Sequence, residues 1–89
     1  MASRTRGVFA ISVAAEMVAM EVQNLRVYER RGLIRPARTD GGTRLYSQAD
    51  IERLEHIREL LAEGLNLAGI ARVLTLEAEV RRLQRSRSG

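Results

Sequence analysis

The helical pattern of this chain is interrupted between Gly32 and Ser47, which limits the folds that the chain can adopt. Gly32 ends a helical stretch, and Pro36 then disfavours helical backbone at the residue that precedes it. Residues 38–46 include Asp-Gly-Gly, which supplies the positive backbone φ angles that a tight hairpin requires. The sequence therefore predicts a short hairpin between two helical regions.

Two short helices are predicted before this hairpin. The first covers residues 13 to about 18, with Ser12 as its N-cap, because serine caps well and alanine favours helix. The second runs from about residue 22 to 31; Leu25 lies on its apolar side and Gly32 supplies the left-handed stop. About three residues separate the two helices. This spacing is typical of a helix-turn-helix, although other helical hairpins share it.

Two more helices are predicted after the hairpin. Ser47 and Asp50 form a short capping box at the start of the third helix, and Gly64 ends that helix. Asn66 is the predicted N-cap of the fourth helix. Apolar residues with helical spacing follow both caps, at Ile51, Leu54, Ile57, Leu60 and Leu61 in the third helix and at Leu67, Ile70, Val73 and Leu74 in the fourth.

The C-terminal part of the chain carries apolar residues at alternating spacings of three and four, as in the a/d seam of a coiled coil. The pattern predicts a short C-terminal helix at 76–85 and a disordered tail at 86–89. The seam is interpreted either as a dimer interface or as packing against the preceding helix. The predicted dimer residues are Val73, Leu76, Val80 and Leu83.

Composition excludes several classes of function. A chain of 89 residues allows one small domain. With no cysteine and one histidine, neither a disulfide nor a thiolate or histidine metal site is expected. No nucleophile–base pair, paired carboxylate site or phosphate-cradling glycine loop is visible in the sequence, so an enzyme is not expected. Neither a membrane-spanning run nor a signal-peptide core is visible, so the predicted location is cytoplasmic. Residues 1–7 are small, polar and basic, and they are expected to form a disordered arm.

Positive charge is concentrated in one part of the chain. All 15 basic residues are arginines, and the net charge is +4. Residues 26–44 contain six arginines and two acidic residues, so their surplus equals the net charge of the whole chain. Arginine presents a planar fork that suits phosphate and guanine. The second helix and the hairpin are therefore predicted to form an anion-binding face, the alternative being a solvated arginine-rich surface.

Three segments of the chain resemble the winged-helix family of MerR-type transcription regulators. They are NLRVYERRGLI at residues 24–34, GTRLYS at 42–47 with Asp50 and Ile51 behind it, and EGLNLAGI at 63–70. Their order and spacing match the recognition helix, the wing, and the turn between the third and fourth helices of that family. The resemblance covers residues 8 to 83 and implies a mainly α fold. In this fold, residues 8–75 form a winged helix-turn-helix with a small two-stranded wing, and a short C-terminal helix follows.

Within this family, the chain is most similar to the actinobacterial heat-shock repressors. The similarity lies in ISVAAE at 11–16, RTDGG at 38–42 and LAGI at 67–70. One departure lies around the turn into the recognition helix, where the family usually has Gly and Thr or Ser and this chain has AMEVQN at residues 19–24. Another is the C-terminal helix, which typical members use at greater length to dimerise.

The resemblance implies a role for each of these elements on DNA. The second helix would enter the major groove, where Arg26 would contact a base or an adjacent phosphate. Arg44 and Tyr46 of the wing would contact phosphates, and Ser12 with the first helix N-terminus would hold another. The predicted DNA-contacting residues are Ser12, Gln23, Asn24, Arg26, Tyr28, Arg31, Thr43, Arg44 and Tyr46.

The function that the resemblance implies is sequence-specific binding of double-stranded DNA by a transcriptional regulator. We expect a repressor of heat-shock or stress genes that is associated with the nucleoid and needs no cofactor, metal or membrane. It would act as a homodimer or as a head-to-tail oligomer on DNA, with a co-repressor protein such as a chaperone. Two alternatives stay open, an architectural or excisionase-like DNA-binding protein without effector sensing and a helical protein-interaction adaptor.

Overall fold

The computed structural model describes residues 3–88, with the backbone alone at Ser88. Its elements are α1 (Ile11–Met17), α2 (Val22–Arg30), β1 (Ala37–Arg38), β2 (Arg44–Leu45), α3 (Gln48–Ala62) and α4 (Leu67–Ser88). The two strands form an antiparallel sheet. This mainly helical architecture with a small two-stranded wing confirms the predicted fold class. The chain divides into two compact units, and the boundary between them falls between His56 and Ile57 in the sequence.

Helix α1 begins earlier than the sequence predicts. Its N-cap is Ala10, whose backbone is extended and whose side chain makes no capping hydrogen bond. The prediction that Ser12 caps this helix is therefore wrong, since Ser12 lies inside the first turn. The reason is a β-bridge between Phe9 and Tyr46 just before the helix, in which the N–H groups of Val8 and Phe9 donate to the carbonyl of Tyr46 at 3.0 and 2.9 Å. This bridge directs the chain so that the helix begins directly after Ala10.

Three helices end in the same hydrogen-bonded motif with a left-handed residue. At the end of α1, the N–H of Met20 donates to the carbonyl of Ala15 at 2.9 Å, and Ala19 has a φ of 55°. Equivalent bonds close α2 and α3, where Gly32 and Gly64 have φ angles of 75° and 94°. This is the Schellman motif, and glycine normally occupies its left-handed position. The predicted stops at Gly32 and Gly64 are confirmed, and Ala19 fills a glycine position.

The hairpin between α2 and α3 has a three-residue loop. Arg38 pairs with Arg44 across the strands, and the N–H of Thr39 donates to the carbonyl of Thr43 at 2.9 Å. The N–H of Gly42 donates back to the carbonyl of Thr39 at 2.9 Å, and Gly42 has a φ of 85°. A tight turn followed by one left-handed glycine is a common three-residue hairpin loop. The hairpin is thus confirmed, with one positive φ angle in the Asp-Gly-Gly segment.

The N-terminal segment is ordered over residues 3–7, in contrast to the disordered arm that the composition predicts. The carbonyl of Arg4 accepts a hydrogen bond from the N–H of Ala49 at 2.9 Å, and the Arg4 guanidinium pairs with Glu52. Gly7 lies so close to β2 that an added Cβ would approach the carbonyl oxygen of Leu45 to 2.7 Å. Composition does not reveal such backbone contacts. Residues 1 and 2, which the prediction also covered, lie outside the described part of the chain.

The predicted caps of α3 and α4 are confirmed. Ser47 Oγ accepts from the N–H of Asp50 at 3.0 Å, and Asp50 Oδ2 accepts from the N–H of Ser47 at 2.9 Å, as in a capping box. Asn66 Oδ1 accepts from the N–H of Gly69 at 2.8 Å. Both helices therefore begin where short polar side chains replace the missing backbone partners of the first turn.

Helix α4 is longer than the sequence predicts. It runs for 22 residues without a break, so the predicted boundary at 75/76 falls inside a continuous helix. Residues 86–88, predicted to be part of a disordered tail, belong to this helix, while Gly89 lies outside the described residues. The physical reason is that no glycine or proline lies between Gly69 and Gly89, so nothing in this stretch stops helical propagation.

Each compact unit has its own buried apolar residues. In the first unit they are Ala14, Ala15, Val18, Leu25, Tyr28, Leu33, Ile34, Tyr46, Ile51 and Leu54. In the second unit they are Ile57, Leu60, Ile70 and Leu74. Over residues 3–88, the helices are too short or too polar to cross a membrane.

Candidate nucleic-acid interface

Helix α2 has one buried and one exposed face. Leu25 is fully buried and Tyr28 is 5% exposed. On the opposite side, Gln23, Arg26 and Arg30 recur at spacings of three and four residues, and all three are exposed. Amide and guanidinium groups are the side chains that hydrogen-bond base edges in the major groove. The exposed face of α2 therefore has the chemistry and the periodicity of a base-reading surface.

Most of the other predicted contact residues are also exposed. Asn24 and Arg31 flank the exposed face of α2, Ser12 lies in the first turn of α1, and Thr43 lies in the wing. The structure thus brings the α2 residues onto one side of one helix. Whether they contact DNA stays a prediction.

Two predicted contact residues lie in the core instead. Tyr46 is fully buried, and its hydroxyl has no hydrogen-bond partner among residues 3–88. Burial raises the pKa of both Tyr46 and Tyr28 above the ordinary value of 10.0. The prediction that these two rings face DNA is wrong, because large aromatic surfaces stabilise the core of a small domain. For Tyr28, the three-residue spacing from the buried Leu25 is a signal in the sequence that places it on the apolar side.

Glu29 connects α2 with the wing. Its Oε1 atom accepts a hydrogen bond from Nε of Arg44, and its Oε2 atom accepts one from Nη2 of Arg38 at 2.8 Å. Nη1 of Arg38 also donates to the carbonyl of Gly42 at 2.9 Å. The side chain of Glu29 is 19% exposed, so these ion pairs are partly shielded from water. We call this group of Glu29, Arg38 and Arg44 the wing clamp.

The ion pairs of the wing clamp shift the pKa values of Glu29 and Arg44. Burial raises the pKa of Glu29, but the hydrogen bonds from Arg44 and Arg38 outweigh it and leave the pKa below the ordinary 4.5. The hydrogen bond to Glu29 raises the pKa of Arg44, against a smaller opposing effect of burial. Glu29 and Arg44 are therefore both charged at neutral pH. In the sequence, Glu29 counts only as one of the two acidic residues of the segment 26–44. Arg30 and Arg38 are absent from the predicted DNA-contacting residues.

A second contact fixes the backbone that follows α2. Nε of Arg53 in α3 donates to the carbonyl of Leu33, next to the left-handed Gly32. Leu33 and Ile34 are buried, so apolar packing and this hydrogen bond act on the same short segment. The end of α2 is thus held from α3 as well as from the wing.

Helix α4 presents an exposed apolar stripe. Leu76, Val80 and Leu83 are 57%, 51% and 49% exposed, and Val73 is partly buried one turn earlier. These are the residues of the predicted seam, and their spacing places them on one side of the helix. Single exposed apolar residues are ordinary, but an aligned row of them is typical of an interaction surface.

The fold and this surface define a class of protein. A short helix, a tight turn, a second helix with a polar exposed face and an arginine-bearing hairpin together form a winged helix-turn-helix domain. Residues 9–77 match the family described as MerR HTH family regulatory protein. The chain belongs to this family.

Individual relatives support the same assignment. The chain is 49% identical over 78 residues to the heat shock protein HspR of Streptomyces coelicolor, covering 86% of this chain and 52% of that protein. It is 36% identical over 74 residues to the HTH-type transcriptional regulator GlnR of Bacillus anthracis, covering 83% of this chain and 57% of the relative. The chain therefore spans about half the length of these curated relatives.

A solved structure shows the same fold. The N-terminal part of the Bacillus subtilis multidrug transporter activator Mta matches with a TM-score of 0.72 and 28% identity, covering 91% of this chain and 86% of that one. The resemblance to MerR-type regulators, and within them to a heat-shock relative, is thus confirmed.

Proposed function

We propose that this chain binds double-stranded DNA in a sequence-specific manner and regulates transcription. The observation that carries the proposal is that a polar, arginine-bearing face lies on the same helix that Glu29 ties to the wing. The exposed face of α2, which would read bases, and the wing, which would contact the DNA backbone, are thereby held together. Recognition of this kind needs phosphate contacts that set the register and base contacts that read the sequence.

The exposed face of α2 supplies the base contacts in this proposal. Arg26 and Arg30 match the acceptor pair that guanine presents in the major groove, and Gln23 and Asn24 match the donor and acceptor of adenine. In this proposal, the phosphate contacts come from Arg31, Thr43, Arg44 and Ser12. Tyr28 and Tyr46 act from the core, by supporting α2 and the wing.

The regulated genes in this proposal are heat-shock or stress genes, and the regulation is repression. The support is the 49% identity to a relative named as a heat shock protein. We place the protein in the cytoplasm, on the nucleoid, because DNA is its proposed partner. A chaperone co-repressor stays a prediction.

The exposed stripe of α4 is proposed to pair two copies of the chain. One module neutralises few phosphates, so its specific affinity is modest and a second copy is needed for tight binding. Leu76, Val80 and Leu83 offer an apolar surface for this contact.

Selection of binding sites from a random duplex library tests the proposed function. We expect enrichment of a discrete site, and footprinting of that site should show protection of limited length. Arg26→Ala with Arg30→Ala should abolish the enrichment, while the control Arg72→Ala, at an exposed arginine of α4, should leave it intact. Long cooperative protection of any sequence would favour an architectural protein, and absence of duplex binding at low salt would contradict both.

A further inference from the structure

The wing contains an arrangement that is unfavourable by itself. Arg38 and Arg44 are direct cross-strand partners, in strands of two residues each. Like charges opposite each other destabilise an antiparallel pair, and an isolated two-stranded hairpin is marginal in water. The wing therefore depends on stabilisation from outside its own strands.

Glu29 supplies this stabilisation from the recognition helix. It uses one carboxylate oxygen for each arginine, so a single side chain neutralises part of the repulsion in both strands. Through Arg38, the contact extends to the carbonyl of Gly42 in the hairpin loop at 2.9 Å. Two positive charges and one negative charge leave the wing clamp with a net charge of +1. The clamp thus fixes the position of the wing and also lowers its charge.

We propose that Glu29 is a specificity-determining positioning residue, an inference that rests on DNA binding as the proposed function. Non-specific affinity comes from neutralised phosphates and depends on how many positive groups are free to reach them. Specific affinity requires the wing and the exposed face of α2 to keep a fixed relation, because phosphate contacts set the register of base contacts. By holding Arg38 and Arg44 against α2, Glu29 weakens non-specific binding and supports specific binding.

The substitution Glu29→Gln tests this inference through the ratio of specific to non-specific affinity. The full chain is titrated with a fluorescent duplex of selected sequence and with one of random sequence, over a range of salt concentrations. Released arginines should raise the affinity for the random duplex about three- to tenfold and steepen its salt slope by about one. The affinity for the selected duplex should not rise in parallel, so the specificity ratio falls.

Two controls separate the wing clamp from net charge. Asp40→Asn removes one negative charge from the exposed tip of the same wing without touching the clamp, and it should leave the specificity ratio unchanged. In a background that carries Arg38→Ala and Arg44→Ala, Glu29→Gln should have no further effect on the ratio, as a double-mutant cycle requires for residues that act together.

A second variant keeps the test valid if Glu29→Gln folds poorly. Glu29→Asp retains the charge but shortens the side chain, so it cannot reach both arginines, and the specificity ratio should again fall. If the wild type binds DNA but Glu29→Gln changes the ratio and slope no more than Asp40→Asn does, the inference is overturned while the proposed function stands. If the wild type binds no duplex, the proposed function itself fails.

Discussion

At the residue scale, the turn of the helix-turn-helix shows what a sequence pattern can and cannot reveal. Gly32 and Gly64 are predictable helix stops because glycine adopts positive φ without a steric penalty. Ala19 occupies the same left-handed position with a φ of 55°. An alanine does not by itself indicate this conformation, but the resemblance does, since the family usually has Gly in this turn. An alanine there is strained, since its Cβ crowds the following carbonyl. Four residues, 18–21, separate α1 from α2, close to the gap of about three that the sequence predicts.

The strain at Ala19 leads to a stability prediction. Ala19→Gly should raise the free energy of unfolding by about 1 kcal/mol, because glycine removes the steric penalty of left-handed backbone. Gly32→Ala and Gly64→Ala, in the same motif at the ends of α2 and α3, should lower it by a similar amount. Urea denaturation followed by circular dichroism measures all three variants. A loss of stability in Ala19→Gly would show that the α1–α2 turn is not strained.

At the element scale, local signals predicted the helices well and the wing contacts poorly. The capping box of Ser47 and Asp50 and the Asn66 cap are interactions within four residues, so they are readable from the sequence. The wing clamp joins Glu29 to Arg38 and Arg44, which lie 9 and 15 residues away, and depends on how the hairpin folds back. Tyr46 was misassigned for a similar reason, because its bridge to Phe9 is a non-local contact.

The wing clamp should make stability depend on pH. The pKa of Glu29 lies below its ordinary 4.5 in the folded state, so the clamp stabilises the fold fully above that value. This contribution is lost as the pH falls below 4.5 and through the lower folded pKa, when protonation releases Arg38 and Arg44. The unfolding free energy of the wild type should therefore fall more steeply below pH 4.5 than that of Glu29→Gln.

Thermal or urea unfolding at a series of pH values checks this expectation. The other carboxylates titrate in both proteins, so the difference between the two curves isolates Glu29. Parallel curves for wild type and Glu29→Gln would mean that the clamp adds no stability.

At the scale of the whole molecule, the sequence identified the fold and the family, whereas the length of α4 exceeded the prediction. The family assignment rests on motifs with fixed spacing. These motifs are recognisable in the sequence because they form the helix ends, the wing and the helix caps. Helix α4 continues through Ser88 because its sequence contains no stop, and it displays Leu76, Val80 and Leu83 to solvent. Pairing of two chains through this stripe is the proposal that follows.

Substitutions on the stripe test the pairing. Leu76→Asp with Val80→Asp should reduce the mass measured by sedimentation from that of a dimer to that of a single chain, because charge opposes burial of an apolar seam. Ala78→Asp adds a charge to an exposed position on the other side of α4 and should leave the mass unchanged. An unaltered mass in the double variant would exclude the stripe as the dimer contact.

In the proposed function, the exposed face of α2 reads DNA sequence. The most direct measurement is the affinity of the wild type and of Arg26→Ala for a selected duplex and for the same duplex with single base pairs exchanged. We expect Arg26→Ala to lower the affinity for the selected duplex by about 1–3 kcal/mol and to remove discrimination at one base pair, while discrimination elsewhere is retained. An equal loss on every duplex, with discrimination intact at all positions, would contradict it.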